Sequence, residues 1–130
     1  MPERTWHNEM ALRAGPFYDK QDVLSWLGIT TTELDDMRTN HTAFACFTAD
    51  GRLIFPMWQF RSDGTLLPGL QDVLSVLSKG TDDEWAWALW LTGSVPHQLG
   101  GKSAVQWLAE GRNPNAVVSL AWQDVIRWSW

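Results

Sequence analysis

Helix punctuation constrains this chain more than any other feature. Three times a hydroxyl residue is followed three positions later by Glu or Gln: Thr30/Glu33, Thr81/Glu84 and Ser103/Gln106. In that spacing the hydroxyl accepts the third backbone N–H of a helix while the longer side chain reaches back to the cap N–H. Three such starts commit the chain to short, separately capped helices. Glycines mark the stops at Gly28, Gly80 and Gly111, because glycine enters the left-handed conformation that ends a helix at little cost.

The other helices follow from caps and period. Asp19 caps a helix carrying Val23, Trp26 and Leu27 on one face, and the Thr30 helix runs to about Asn40 with Leu34 and Met37 inward. Leu70, Val73, Leu74 and Leu77 fall at i, i+3, i+4 and i+7, an amphipathic helix. The segment opened by Thr81 is apolar almost all round, so it is expected to be central or shared with a partner. Asn113 with Pro114 at the first helical position starts a last helix running towards the C-terminus. Between the second and third helices, Ala43 to Thr48 and Arg52 to Phe55 read as two strands joined by the Asp50-Gly51 turn.

The expected fold is mainly α: a small winged helix-turn-helix module over residues 17–61, then a four-helix domain over 68–130. The boundary falls in Arg61 to Gly69, which is polar at first and broken by Gly64, Pro68 and Gly69.

A chain of 130 residues with 45% hydrophobic and 19% charged residues folds around a core. Its net charge of −5 disfavours sequence-independent attraction to DNA or anionic membrane. The single cysteine, Cys46, excludes an intramolecular disulfide. Met1 to Arg13 is polar and charged and does not read as a secretory leader, and no apolar run has the length to span a bilayer. The expected location is a reducing cytoplasm.

Catalytic signals are weak. His7, His41 and His97 stand in separate segments without metal-ligand spacing, and Leu99-Gly100-Gly101-Lys102-Ser103 lacks the preceding strand and long glycine spacing of a phosphate loop. No enzyme, cofactor or metal is expected. The chain does hold ten tryptophans, more than a small domain can wholly bury, and half-exposed tryptophan belongs to partner interfaces. Near the C-terminus Trp122, Arg127, Trp128 and Trp130 combine the residue types that dominate such interfaces, and form the candidate partner-binding set. The candidate DNA-binding set is Thr32 and Arg38 on the second helix with Arg52 on the hairpin. It is opposed by Glu33, Asp35 and Asp36 on the same helix, since carboxylates repel phosphates.

From Pro68 to Leu120 the chain resembles the toxin-binding domain of antitoxins of the Xre/MbcA/ParS type. The matching marks are Pro68-Gly69-Leu70, Trp85 with Ala88-Leu89-Trp90-Leu91, Leu99-Gly100-Gly101, and Gln106-Trp107-Leu108 through Gly111-Arg112 to Ala116-Val117-Val118. Trp26-Leu27-Gly28-Ile29 and Phe55-Pro56-Met57-Trp58-Gln59-Phe60 look like the helix-turn-helix module often joined to it. The resemblance implies a cytoplasmic, oligomeric antitoxin that binds a RES-type, NAD-degrading toxin and represses its own operon. The region after the last domain helix would reach towards the toxin's active site, which again points to Trp122, Arg127, Trp128 and Trp130. Lys102-Ser103-Ala104 departs from the Ser-Pro helix start usual in the family. The alternative is a DNA-binding transcriptional regulator acting through the helix-turn-helix.

Overall fold

The computed structural model describes residues 15–128. A short strand β1 (Phe17–Asp19) leads into α1 (Lys20–Leu27) and α2 (Thr31–Thr39). Strands β2 (Cys46–Phe47) and β3 (Leu53–Pro56) form a hairpin, and a 3-10 turn spans Met57–Gln59. Helices α3 (Leu70–Leu77), α4 (Glu84–Thr92), α5 (Ala104–Ala109) and α6 (Pro114–Trp128) follow. The protein is mainly helical, with one antiparallel sheet in the order β1-β3-β2.

Local chemistry places most boundaries. Asp19 accepts the Asp22 N–H at the start of α1, and Gly28 ends it at φ +66°. The Thr30/Glu33 and Ser103/Gln106 boxes are both fully formed. Gly51 turns the hairpin at φ +83°.

Two elements differ from the sequence reading. The Thr81/Glu84 box does not form: α4 begins at Glu84 and is capped by Asp83, which accepts the Trp85 N–H at 3.0 Å. Thr81 instead accepts the Asp83 N–H, and the Glu84 carboxylate is used elsewhere. Strand β1 was not expected. A three-residue strand has too little sequence for a period to show, and it exists because β3 offers it a free edge, pairing Tyr18 with Phe55.

The sheet lies between two apolar clusters. Successive side chains on a strand point to opposite faces, and here both faces are covered. Ala45 and Phe55 join Val23, Leu34 and Phe60 under α1 and α2. Phe44, Cys46 and Ile54 join the larger cluster built by α3 to α6. Residues on the first side of the Arg61–Gly69 boundary thus belong to both cores. Fully buried Gln59 holds the arrangement: its amide accepts the Phe44 N–H at 3.0 Å and donates to the carbonyls of Phe44 at 2.8 Å and Pro56 at 3.2 Å.

Helices α3 and α6 make the main helical contact of the C-terminal half. Their approach depends on Gly69, just before α3. It stands at φ +83°, and a Cβ there would lie 2.5 Å from the Cβ of Pro114, the first residue of α6. Glycine is thus required twice over, by conformation and by space.

The outer edge of β2 is sealed by α4. Thr48 donates its N–H to Arg52 across the hairpin, so Ala45 and Phe47, one residue out of phase, direct their backbone groups away from β3. The Ala45 N–H donates to Glu84 Oε2 at 3.1 Å, and the Phe47 carbonyl accepts the Trp85 indole N–H at 2.9 Å. Glu84 Oε1 also receives Arg38 Nη2 at 3.3 Å. An orphaned N–H costs about 1–3 kcal/mol, whereas a partly exposed ion pair contributes about 0–1 kcal/mol. The backbone bond therefore outweighs the ion pair. Glu84→Ala is expected to lower stability by about 2–3 kcal/mol in urea unfolding, and Glu84→Gln, which keeps an acceptor for Ala45, by about 1 kcal/mol or less. Equal losses would show that the charge is what matters.

Candidate functional site

Trp6 and Trp130 lie outside the described residues, which leaves eight of the ten tryptophans. How each uses its indole N–H divides them. Trp85 donates to the Phe47 carbonyl, Trp87 to that of Thr81, Trp107 to that of Asn113, and Trp90 to the Asp124 carboxylate. Trp58 packs against Phe44 with ring centroids 5.6 Å apart. The remaining three, Trp26, Trp122 and Trp128, are 42%, 41% and 43% exposed and leave the indole N–H without a partner among the described residues. A tryptophan committed to the fold finds an acceptor; these three have kept theirs for solvent or a ligand.

Two of the three stand on α6. Asn113 opens this helix by accepting the Asn115 N–H, and Pro114 occupies its first position. Val117, Leu120, Ala121 and Val125 form its buried stripe. Trp122 and Ile126, four residues apart and therefore side by side, stand outside that stripe, and Ile126 is 54% exposed. Trp128 lies partly folded back. Its ring rests on Gly80, where a Cβ would come within 2.7 Å of the Trp128 Cε3, and it borders a small hollow with Thr81 and Ala86. Arg127 extends from the same end of the helix, its Nη2 held 2.6 Å from Asp124 Oδ1. The structure thus carries Trp122, Arg127 and Trp128 on the last turns of α6 but on different sides of it: Trp122 outward, Arg127 beside Asp124, and Trp128 back against Gly80; Trp130 falls beyond the described residues. Ile126 is the member that sequence reasoning missed, although its i+4 relation to Trp122 was readable.

The members of the other candidate set differ in exposure. Thr32 is exposed on α2. Arg38 turns inward to Glu84, with its guanidinium 5.7 Å from the centroid of the Phe47 ring. That corrects the expectation that it faces out beside Asp35 and Asp36, which are both exposed. Arg52 sits in the hairpin, half-buried, its backbone N–H bonded to Thr48 Oγ1. Trp26 also departs from expectation. It is 42% exposed and meets Tyr18 at a tilt and Phe60 edge-on, at centroid distances of 5.5 and 5.6 Å.

Among the described histidines, His41 follows α2 in the left-handed conformation at φ +61° and meets the Trp87 ring edge at 6.0 Å. His97 is exposed in the loop after α4. Among the described residues no group of three or more His, Cys, Asp or Glu side chains is arranged to hold a metal, and no helix is long and apolar enough to cross a membrane. Burial pushes the Cys46 thiol far above the usual range, and the nearby carboxylates of Glu84 and Asp83 add to the rise.

No protein-family model matches the chain, and no curated protein matches it. Among solved structures it is similar to the NMR structure of Rv2175c. The two share 21% identity and a TM-score of 0.60, over 88% of this chain and 79% of that one. At this identity the likeness concerns the fold: a mainly helical chain with a small sheet.

A thiolate, not a thiol, attacks disulfide reagents. Cys46 is therefore expected to resist an aromatic disulfide reagent at neutral pH in the folded chain and to react at once in denaturant. Rapid labelling under native conditions would contradict its placement.

Proposed function

We propose that this chain is a non-enzymatic, antitoxin-like binding module whose α6 face docks onto a protein partner. The observation that carries this reading is the pairing of Trp122 and Ile126, exposed on a helix whose other face is core. Water solvates two large apolar side chains poorly, and a partner that covers them gains about 25 cal/mol for each Å² removed from water. Trp128 and Arg127, exposed on the same last turns of α6, are residue types enriched among interface hot spots. By the resemblance over Pro68 to Leu120, the partner is a RES-type toxin that degrades NAD. Inhibition is steric: the end of α6, with Trp130 beyond it in sequence, covers the toxin's substrate pocket. On this reading residues 17–61 are a winged helix-turn-helix and residues 68–130 the partner-binding domain, working in the cytoplasm as an oligomer.

The second reading, a transcriptional regulator, draws support from the order of elements: helix, glycine turn, helix, hairpin. The electrostatics oppose it. Arg38 is committed to Glu84, and the outward face of α2 presents Glu33, Asp35 and Asp36. Salt-dependent retardation of its own upstream DNA, lost in an Arg52→Ala variant, would favour this reading over the first.

Co-expression with a RES-type toxin tests the proposal. The full chain is expected to restore growth and to co-purify with the toxin. Trp122→Ala combined with Ile126→Ser is expected to weaken the complex by about 30-fold or more, as loss of a hot spot does, with the melting temperature little changed because both side chains are exposed. Undiminished capture by the double variant overturns the reading.

A further inference from the structure

Beside its exposed face, α6 closes a cleft of about 340 Å3 against the end of α4 and the loop that follows. Trp90 and Leu120 line it with apolar surface; Gln98, Gln123, Asp124 and Arg127 supply its polar groups. This volume lies at the small end of the range for ligand pockets, and suits one inserted side chain.

The hydrogen-bond inventory is lopsided. Both oxygens of Asp124 are engaged: Oδ2 accepts the Trp90 indole N–H at 2.6 Å, and Oδ1 accepts Arg127 Nη2 at 2.6 Å. A guanidinium carries five N–H donors, and the bond to Asp124 is the one Arg127 makes among the described residues. The side-chain amides of Gln98 and Gln123 are exposed and make no hydrogen bond among the described residues. Each of those amides offers an acceptor as well as donors, so the surplus of donors rests on Arg127, whose side chain is 68% exposed and whose orientation is set through Asp124 and Trp90. The group that answers an open guanidinium edge is a planar carboxylate, bound by two parallel N–H···O bonds. The apolar wall suits a short methylene stem leading to it.

We propose that this cleft receives the side-chain carboxylate of a glutamate from the protein partner, with Arg127 as anchor and Asp124 as the positioning residue that holds it. This rests on the reading of α6 as the docking helix and names the chemistry it recognises. The negative end of α6 and the Asp124 charge both disfavour an anion. Recognition thus depends on the fit of the guanidinium fork, and not on charge alone. Lysine cannot supply that fork.

The test uses the full chain, isotope-labelled, with the Trp90 indole N–H resonance as reporter. The probe is N-acetyl-glutamate α-amide, whose side chain holds its one carboxylate; N-acetyl-glutamine amide is the neutral control. The acid is expected to shift the Trp90 resonance in a saturable way at millimolar concentration, and the control to bind about tenfold more weakly. Arg127→Lys is expected to reduce affinity for the acid to that of the control, and Asp124→Asn to move the Trp90 resonance before any probe is added. Equal responses to acid and control, no response to either, or full binding by Arg127→Lys would overturn the proposal. The toxin is absent from this experiment, so its failure is distinct from failure of the docking reading, which the capture assay decides.

Discussion

The seal that α4 places on the edge of β2 connects the two halves of this protein. A two-residue edge strand exposes backbone groups that invite another chain. Here Glu84 and Trp85, adjacent at the start of one helix, satisfy the Ala45 N–H and the Phe47 carbonyl. The same carboxylate holds the Arg38 side chain of α2. One contact therefore closes the sheet, fixes the approach of α4, and removes the main cation from the face that a DNA reader would present. The closure of the sheet and the charge of the α2 surface thus depend on a single side chain.

With that seam closed, the sheet becomes an internal partition. Its two faces feed two clusters, and Gln59 supplies the buried polar bonds that Phe44 and Pro56 would otherwise lack. Of the eight described tryptophans, five pack into this interior, and four of those spend the indole N–H on carbonyls or on Asp124. Those left over gather at two places, the end of α6 and the Trp26 surface. The abundance of tryptophan thus has two explanations, divided residue by residue by whether an acceptor lies within reach.

Much of this was legible in the chain itself. Caps and glycines depend on interactions three or four residues apart, so Asp19, Thr30, Ser103 and Asn113 act in the structure as their spacing indicates. The i, i+3, i+4, i+7 pattern of Leu70 to Leu77 likewise became a buried face. Thr81 misled because its expected partner, Glu84, had a stronger claim 39 residues away at Ala45. Arg38 and Trp26 misled for a related reason: local periodicity assigns a side chain to a face, but what covers that face is set by segments distant in sequence.

The order of the helices and the hairpin, the absence of a disulfide within the chain and the aromatic character of residues 122–130 were determined by the sequence alone, because each follows from residue identity or short-range geometry. Tertiary structure decided which tryptophans remain available, where Arg38 points, and that Asp124, Arg127 and Trp90 meet beside a cleft. Those outcomes depend on competition among partners brought together by the chain's return on itself. A hydrogen bond or an apolar contact goes to whichever group arrives with the better geometry, and only the folded chain determines which group that is.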